Sequence, residues 1–394
     1  MGLHNILFYT LNKPIPTIGG VEQATNTTAA LLQGRGHRVF SMYINNIEGT
    51  ISDCFTNSLQ LRDDYVSKIR DFITNNDIDT IINQTDFHMA SYFRQAIVNL
   101  HCSLITAHHF APRWDFQFMS FVNVLNSFRQ NKNIKNLVKI IFYPIFKFRY
   151  YIICKRYLFR GFNVSDKVVL LSDHYKEGFL KTINKTDGNK ITTIPNTLAS
   201  GIPTYDLRQI AKKEKIALIV SRLDEGQKRL SKALKIWKDV TEDENLKDWN
   251  MIIVGEGKSR KMYENYIASN NLQSRIKIVG KSIPWDYYKK ASLFLMTSKS
   301  EGFGLTLIEA QHFGVVPMCF NSFEAAKDVI RHNETGMIIP NNNMTEYRKV
   351  LIQLMKDDAL RLKMAHNGIK YVSERYSAES ICNLWETLID EVSH

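Results

Sequence analysis

The run LFLMTSKSEGFGLTLIEA at residues 293–310 reads as one strand, one turn and one helix. Leu293–Met296 is short, apolar and unbroken, as in a strand covered on both faces of a parallel sheet. Gly302 and Gly304 supply the turn, and a helical pattern begins near Leu305. Glu301 therefore leaves the carboxyl end of a strand, just ahead of a helix start whose N–H groups have no intrahelical partner. Glu309 lies one to two turns inside that helix, near enough to share a ligand with Glu301. Carboxylates beside a phosphate would repel it, so the pair suits hydroxyl groups such as those of a ribose and a sugar. Read blandly, Glu301 is a capping acid and Glu309 faces solvent, which leaves the paired glycines without a task.

The same alternation of short apolar strand and amphipathic helix extends over all 394 residues, which predicts an α/β fold with parallel sheets. Strands are expected at Ile6–Thr10, Val39–Ile44, Thr80–Asn83, Ser103–Thr106, Lys167–Leu171 and Ile191–Pro195. A second series is expected at Ile216–Val220, Met251–Val254, Ile276–Val279, Leu293–Met296, Val315–Phe320 and Met337–Ile339. The pattern slackens over Asn196–Lys213, the best linker. Two doubly wound, Rossmann-like domains result, 1–197 and 198–375, with a closing helix in 376–394, and a ligand cleft is expected between them.

Charge is unevenly spread. The chain carries 51 Lys and Arg against 39 Asp and Glu, net +12, which favours anionic partners. Residues 116–165 hold no Asp or Glu, while Arg129, Lys132, Lys135, Lys139, Lys147, Arg149, Lys155, Arg156 and Arg160 lie there among thirteen aromatics. Lys139, Lys147 and Arg149 interrupt every window long enough to span a bilayer, for which about twenty apolar residues are needed. The expectation is peripheral contact of 129–160 with an anionic membrane surface; the bland reading is a basic helical pair with its aromatics packed inward. No recognised nucleic-acid-binding module accompanies the charge, so nucleic acid is not expected as a partner. The start, MGLHNILFYTL, reads as a first strand rather than a signal peptide, and Ile6 breaks the myristoylation pattern. The five cysteines are scattered without a C-x-x-C, giving neither a disulfide framework nor a zinc site. Asp77-Ile78-Asp79 precedes a strand, at the end opposite the usual ligand crevice, so no metal site is expected.

Three further groups carry chemistry. Gly19-Gly20 follows the first strand and opens a helix, a geometry that admits a phosphate or simply makes a tight turn. Arg222 and Lys228 follow the strand Ile216–Val220 and are able together to neutralise a diphosphate, the Arg by its fork and the Lys as a point charge; taken alone beside Asp224 and Glu225, they read as a solvated face. His108 and His109 follow Ser103–Ala107.

These pieces, with Ile194-Pro195-Asn196 and Val254-Gly255-Glu256-Gly257, resemble in order and spacing the retaining glycosyltransferases of the GT-B fold, family 4, over nearly the whole chain. The two glutamates with seven residues between them are the most diagnostic. The resemblance implies that Arg222 and Lys228 bind the donor diphosphate, helped by backbone at Gly19-Gly20 and at Phe303, Gly304 and Leu305. It implies that Glu309 holds the ribose hydroxyls, Glu301 faces the donor sugar, and backbone near Lys281 and Ser282 meets the base. A histidine bonds the transferred sugar in that family; the spacing to Pro112 favours His109, with His108 as the alternative. The implied activity moves a hexose-type sugar from a nucleotide sugar, UDP-linked by family frequency, without metal or cofactor. The implied acceptor is a lipid-linked saccharide at the inner face of the cell membrane, in surface polysaccharide synthesis. A related enzyme with a soluble acceptor, and a membrane scaffold without turnover, are the alternatives.

Overall fold

The strand signals resolve into two all-parallel sheets in a computed structural model that describes residues 2–16, 18–84, 87–112, 121, 124, 125, 133–198 and 201–393. The first compact unit comprises Met1–Pro195 together with Cys382–His394. Its strands are β1 (Asn5–Asn12), β2 (Arg38–Asn45), β3 (Asn57–Gln60), β4 (Thr80–Gln84), β5 (Ser103–His108), β6 (Lys167–Leu170) and β7 (Ile191–Thr193), in the order β3-β2-β1-β4-β5-β6-β7. The order reverses between β1 and β4. The second unit, Asn196–Ile381, holds β8 (Ile216–Val220), β9 (Asn250–Val254), β10 (Ile276–Gly280), β11 (Leu293–Met296), β12 (Val316–Asn321) and β13 (Met337–Pro340). Their order is β10-β9-β8-β11-β12-β13, reversing between β8 and β11.

The apolar runs are buried as expected for strands covered on both faces. Ile6, Leu7, Phe8 and Tyr9 are inaccessible, as are Leu293, Phe294 and Leu295. Each unit has its own core, one around Phe40, Ile69, Ile81 and Phe93 and the other around Trp237, Trp249, Tyr263 and Tyr347.

Three features depart from or go beyond the sequence reading. The edge strand β3, with sequence NSLQ, gives no apolar signal and is found only through its pairing with β2. The slack stretch before β8 is partly packed: Leu207–Lys212 forms a 3₁₀ helix with Ile210 buried. The helix Gly20–Gly34 buries Glu22, Thr25 and Asn26 along with Ala24 and Leu32, so its inner face is more polar than a core stripe.

The closing helix, Ala378–Val392, is held along the amino edge of the first sheet. Glu386 meets Arg35 and, at 3.2 Å, His37; Asp390 meets His4 at 2.9 Å; and Lys167 pairs with Glu391 at 2.5 Å. Asp79 belongs to the same edge, accepting from the Asn5 N–H at 2.8 Å and lying 3.2 Å from His4 Nδ1. The Asp79 carboxylate of the D-x-D stretch is thus part of the scaffold. Among the described residues no helix is long and apolar enough to cross a membrane.

Candidate active site

In open parallel sheets, ligands bind beyond the carboxyl ends of strands where the order reverses. In the second unit that point lies between β8 and β11, and both strands deliver charged residues there. Beyond β8, Asp224 caps the short helix Glu225–Lys228 by accepting from Gly226 N–H at 2.9 Å. That turn presents Lys228 to Glu301, beyond β11: Nζ lies 2.7 Å from Oε1 and 2.9 Å from Oε2, with side chains only 15% and 11% exposed. The pair lines a small pocket with Ser221, Thr297, Ser298 and Thr306. Arg222 is exposed and donates to Gln227 Oε1 at 2.9 Å, while Gln227 Nε2 donates to Ser300 O at 3.3 Å.

Backbone geometry explains the glycines. A Cβ on Gly255 would sit 1.8 Å from the Ser221 carbonyl oxygen, and its φ is +144°, so only glycine lets the β9 loop pass behind Ser221-Arg222. Gly304, at φ +94°, starts the helix Leu305–His312, and no side chain caps it. Its first N–H groups face the same sheet edge as Glu301. Phe303 is buried against Tyr376, so its contribution is its backbone.

Glu309 is buried and accepts from Tyr288 OH at 3.0 Å. Burial pushes its carboxyl up from 4.5 to about 7, and the Tyr288 hydrogen bond works in the opposite direction. The solvent-facing alternative for Glu309 is therefore wrong. Lys281 and Ser282 are exposed after β10, the edge strand of this sheet.

The first unit shows a parallel arrangement. Gly19 precedes the helix Gly20–Gly34, where Glu22 Oε1 accepts from Asn12 Nδ2 at 2.9 Å. A Cβ on Gly19 would lie 2.6 Å from Glu22 Oε2, so the glycine leaves room for that carboxylate. At the neighbouring strand ends, His109 Nε2 hydrogen-bonds Gln84 Oε1. Burial, and secondarily His108, lowers the His109 pKa from 6.5 to about 3, which keeps the ring neutral. His108 is the last residue of β5 and packs among Phe87, Phe179 and Phe110, at ring separations of 5.3, 5.9 and 6.2 Å.

Residues not singled out from sequence complete both clusters. Arg229 adopts a left-handed conformation and binds Thr297 O at 3.0 Å and Ser298 O at 2.6 Å, fixing the loop that carries Glu301. Tyr288 orients Glu309, and Gln84 orients His109. The Lys-Arg dipeptide was visible, but nothing in it tells the ligand-facing cation from the structural one. Among the described residues no group of three His, Cys, Asp or Glu is arranged to hold a metal ion.

Residues 207–371, nearly the whole of this second cluster's framework, match the family model of glycosyl transferases group 1. An uncharacterized glycosyltransferase of Haemophilus influenzae is 25% identical over 98% of this chain and 100% of its own length. A poly(ribitol-phosphate) α-N-acetylglucosaminyltransferase of Staphylococcus aureus is 25% identical over 60% of this chain, which spans 46% of that relative. In fold, the chain is similar to Anabaena HepE, solved in complex with UDP, with a TM-score of 0.73, 14% identity, and coverage of 98% of this chain and 100% of that one. Domain and fold together support a GT-B glycosyltransferase.

Proposed function

We propose that the protein is a retaining, metal-independent glycosyltransferase of family 4. In this reading it moves a hexose-type sugar from a UDP-sugar to a lipid-linked or membrane-proximal saccharide, in surface polysaccharide synthesis at the cytoplasmic face of the membrane. The observation that carries it is the convergence of Lys228, Glu301 and the uncapped helix start at Leu305 where the second sheet reverses, with Glu309 one turn farther in. Arg222 and Lys228 hold the diphosphate, and the helix start adds N–H donors to the same charge. Glu309 accepts from the ribose hydroxyls, and Glu301 accepts from hydroxyls of the sugar. His109, kept neutral, hydrogen-bonds the sugar, and backbone at Gly19-Gly20 and near Lys281-Ser282 approaches the phosphate and the base.

Chemistry on this reading is electrostatic. The sugar–phosphate bond loosens toward an oxocarbenium ion while cations hold the departing diphosphate. The acceptor enters on the face the diphosphate leaves, and the leaving phosphate takes its proton, so the anomeric configuration is retained without a protein nucleophile. UDP in the HepE complex supports the donor, and the polymer named in the Staphylococcus relative supports a saccharide-type acceptor. The acid-free basic segment supports a membrane surface as the acceptor's location.

The test is nucleotide release from UDP-, GDP- and ADP-sugars, with and without a chelator. Release from UDP-sugars that survives chelation and is abolished in Arg222→Ala is expected. Equal release by Arg222→Ala would remove the diphosphate assignment, and preference for another nucleotide would remove UDP.

A further inference from the structure

The basic segment does not turn its apolar side chains inward. Ile134–Ile141 is a helix with no buried residue, and the helix Tyr143–Val164 buries only Cys154, Leu158, Gly161 and Phe162, all in its second half. Ile134 is 79% exposed, Ile141 62%, Ile145 57% and Phe148 64%; Leu137 and Phe142 are exposed beside them. Ile134, Leu137 and Ile141 recur at helical spacing on one face, as do Ile145 and Phe148 on the next helix. Lys135, Lys139, Lys147 and Arg149 flank them, all exposed.

The topology places this patch. The second helix runs back toward the amino edge of the sheet, where Asp166 N–H bonds Leu104 O at 2.9 Å. Its 22 residues measure about 33 Å, against about 20 Å for the six residues of β5. His88, just beyond the carboxyl end of β4, stacks on Tyr157 at 4.8 Å, so Tyr157 is level with the carboxyl edge. The turns before it therefore project past that edge. His109, Gln84 and Gly19-Gly20 lie on the same edge.

We infer that these two helices form a wedge whose apolar tip inserts into the headgroup–acyl boundary of a lipid leaflet, with the flanking cations on anionic headgroups. This deepens the membrane-proximal acceptor reading and rests on it. Attraction by charge alone would need no exposed isoleucines, and burial of the tip in another protein would have to accommodate the cations. An isologous contact with a second copy sets Lys139, Lys147 and Arg149 against their own counterparts, whereas a leaflet offers apolar depth and negative charge together. Insertion would hold the His109 edge at the depth where a lipid-linked saccharide presents its first sugars.

The experiment is sedimentation of the full chain with phosphatidylcholine vesicles, with and without phosphatidylglycerol, at low salt and at about 1 M salt, where charges are screened beyond about 3 Å. Alongside it runs Phe148→Trp fluorescence with acyl-brominated lipid. The expected results are binding to anionic vesicles that persists at high salt, quenching of Phe148→Trp by the brominated chains, and at least about tenfold weaker binding of Ile141→Ser/Ile145→Ser/Phe148→Ser. UDP-sugar cleavage by that triple variant should be unchanged, since all three side chains are exposed and none is among the residues assigned to the donor. Complete release at high salt, or no quenching, would overturn insertion while leaving the transferase reading standing. Absence of vesicle binding with a dimer that the triple variant dissolves would assign the tip to a second copy instead. Loss of UDP-sugar cleavage in the parent would sink the reading beneath it.

Discussion

Glu309→Gln removes a charge from a site where the structure makes that charge expensive. The carboxyl is buried, and its pKa rises from 4.5 to about 7 because desolvation outweighs the Tyr288 hydrogen bond. For an acid with a raised folded-state pKa, the native protein binds the extra proton between those two values. Its contribution is therefore neutral below pH 4.5, turns unfavourable as pH rises, and levels off above about 7. Glutamine keeps the shape and an oxygen for Tyr288 but never ionises. The variant should thus be more stable than the parent by about 1 kcal/mol at pH 5 and about 3 kcal/mol at pH 8, the latter an upper value. Urea unfolding across that pH range measures the difference directly. The same substitution should weaken UDP binding by roughly 10–100-fold in calorimetry, since a hydrogen bond to a charged group contributes about 1.5–3 kcal/mol. Greater stability with poorer binding is the signature of a group retained for its ligand. A stability difference that stays flat across pH would refute the buried-charge argument, and unchanged UDP affinity would refute the ribose assignment.

Tyr288→Phe deletes the one hydroxyl that lowers the Glu309 pKa, so the pH at which UDP affinity rises should move above about 7; calorimetry giving the same midpoint for parent and variant would contradict this. Lys228→Met leaves the Glu301 carboxylate almost fully buried without its cation, at a cost of roughly 3–5 kcal/mol, and adding Glu301→Gln should restore most of it. Denaturation of the single and double variants decides, and a single variant as stable as the parent would show the pair to be energetically idle. Gly255→Ala combines a φ of +144° with a 1.8 Å clash against Ser221 O; backbone strain alone costs about 1–3 kcal/mol. A melting temperature within error of the parent would mean that the loop is free to shift.

The architecture was readable because core strands of a parallel sheet are continuous apolar runs, and twelve of them stand out by composition. β3 escaped because an edge strand of Asn, Ser, Leu and Gln is held by backbone pairing, which leaves no mark on side-chain type. The candidate site was partly readable for a related reason: ligand loops follow strand ends, so charged residues just after apolar runs stand out. What sequence could not separate were neighbours with opposite fates. Lys228 meets Glu301 while Arg229 turns behind the loop, a choice made by one left-handed residue. His108 enters a phenylalanine cage while His109 meets Gln84, a choice made by where β5 ends. Exposure of the 134–148 side chains was equally hidden. The same residues would make a well-packed helical pair, and only the length of the second helix relative to the strand beside it sets its first half beyond the sheet.

The polar groups at the strand ends of the second unit share a design, and His109 in the first unit follows it in part. Lys228 is neutralised by Glu301, Glu309 is held by Tyr288, and the His109 ring is tied to Gln84. Lys228 and Glu309 meet their electrostatic needs within the chain, so a ligand there gains only by sharing a partner. A diphosphate beside Lys228 competes with Glu301 for one ammonium, and that competition is relieved if Glu301 turns its oxygens to sugar hydroxyls. A free nucleoside diphosphate lacks those hydroxyls and would leave Glu301 less well satisfied than the intact sugar nucleotide does. On the proposed reading, the arrangement favours the intact donor over the nucleotide released from it, a bias set by one ion pair. The double substitution Lys228→Met/Glu301→Gln should erase the bias, bringing the affinities for UDP and for a non-transferable UDP-sugar analogue together. A bias that survives it would place the discrimination elsewhere.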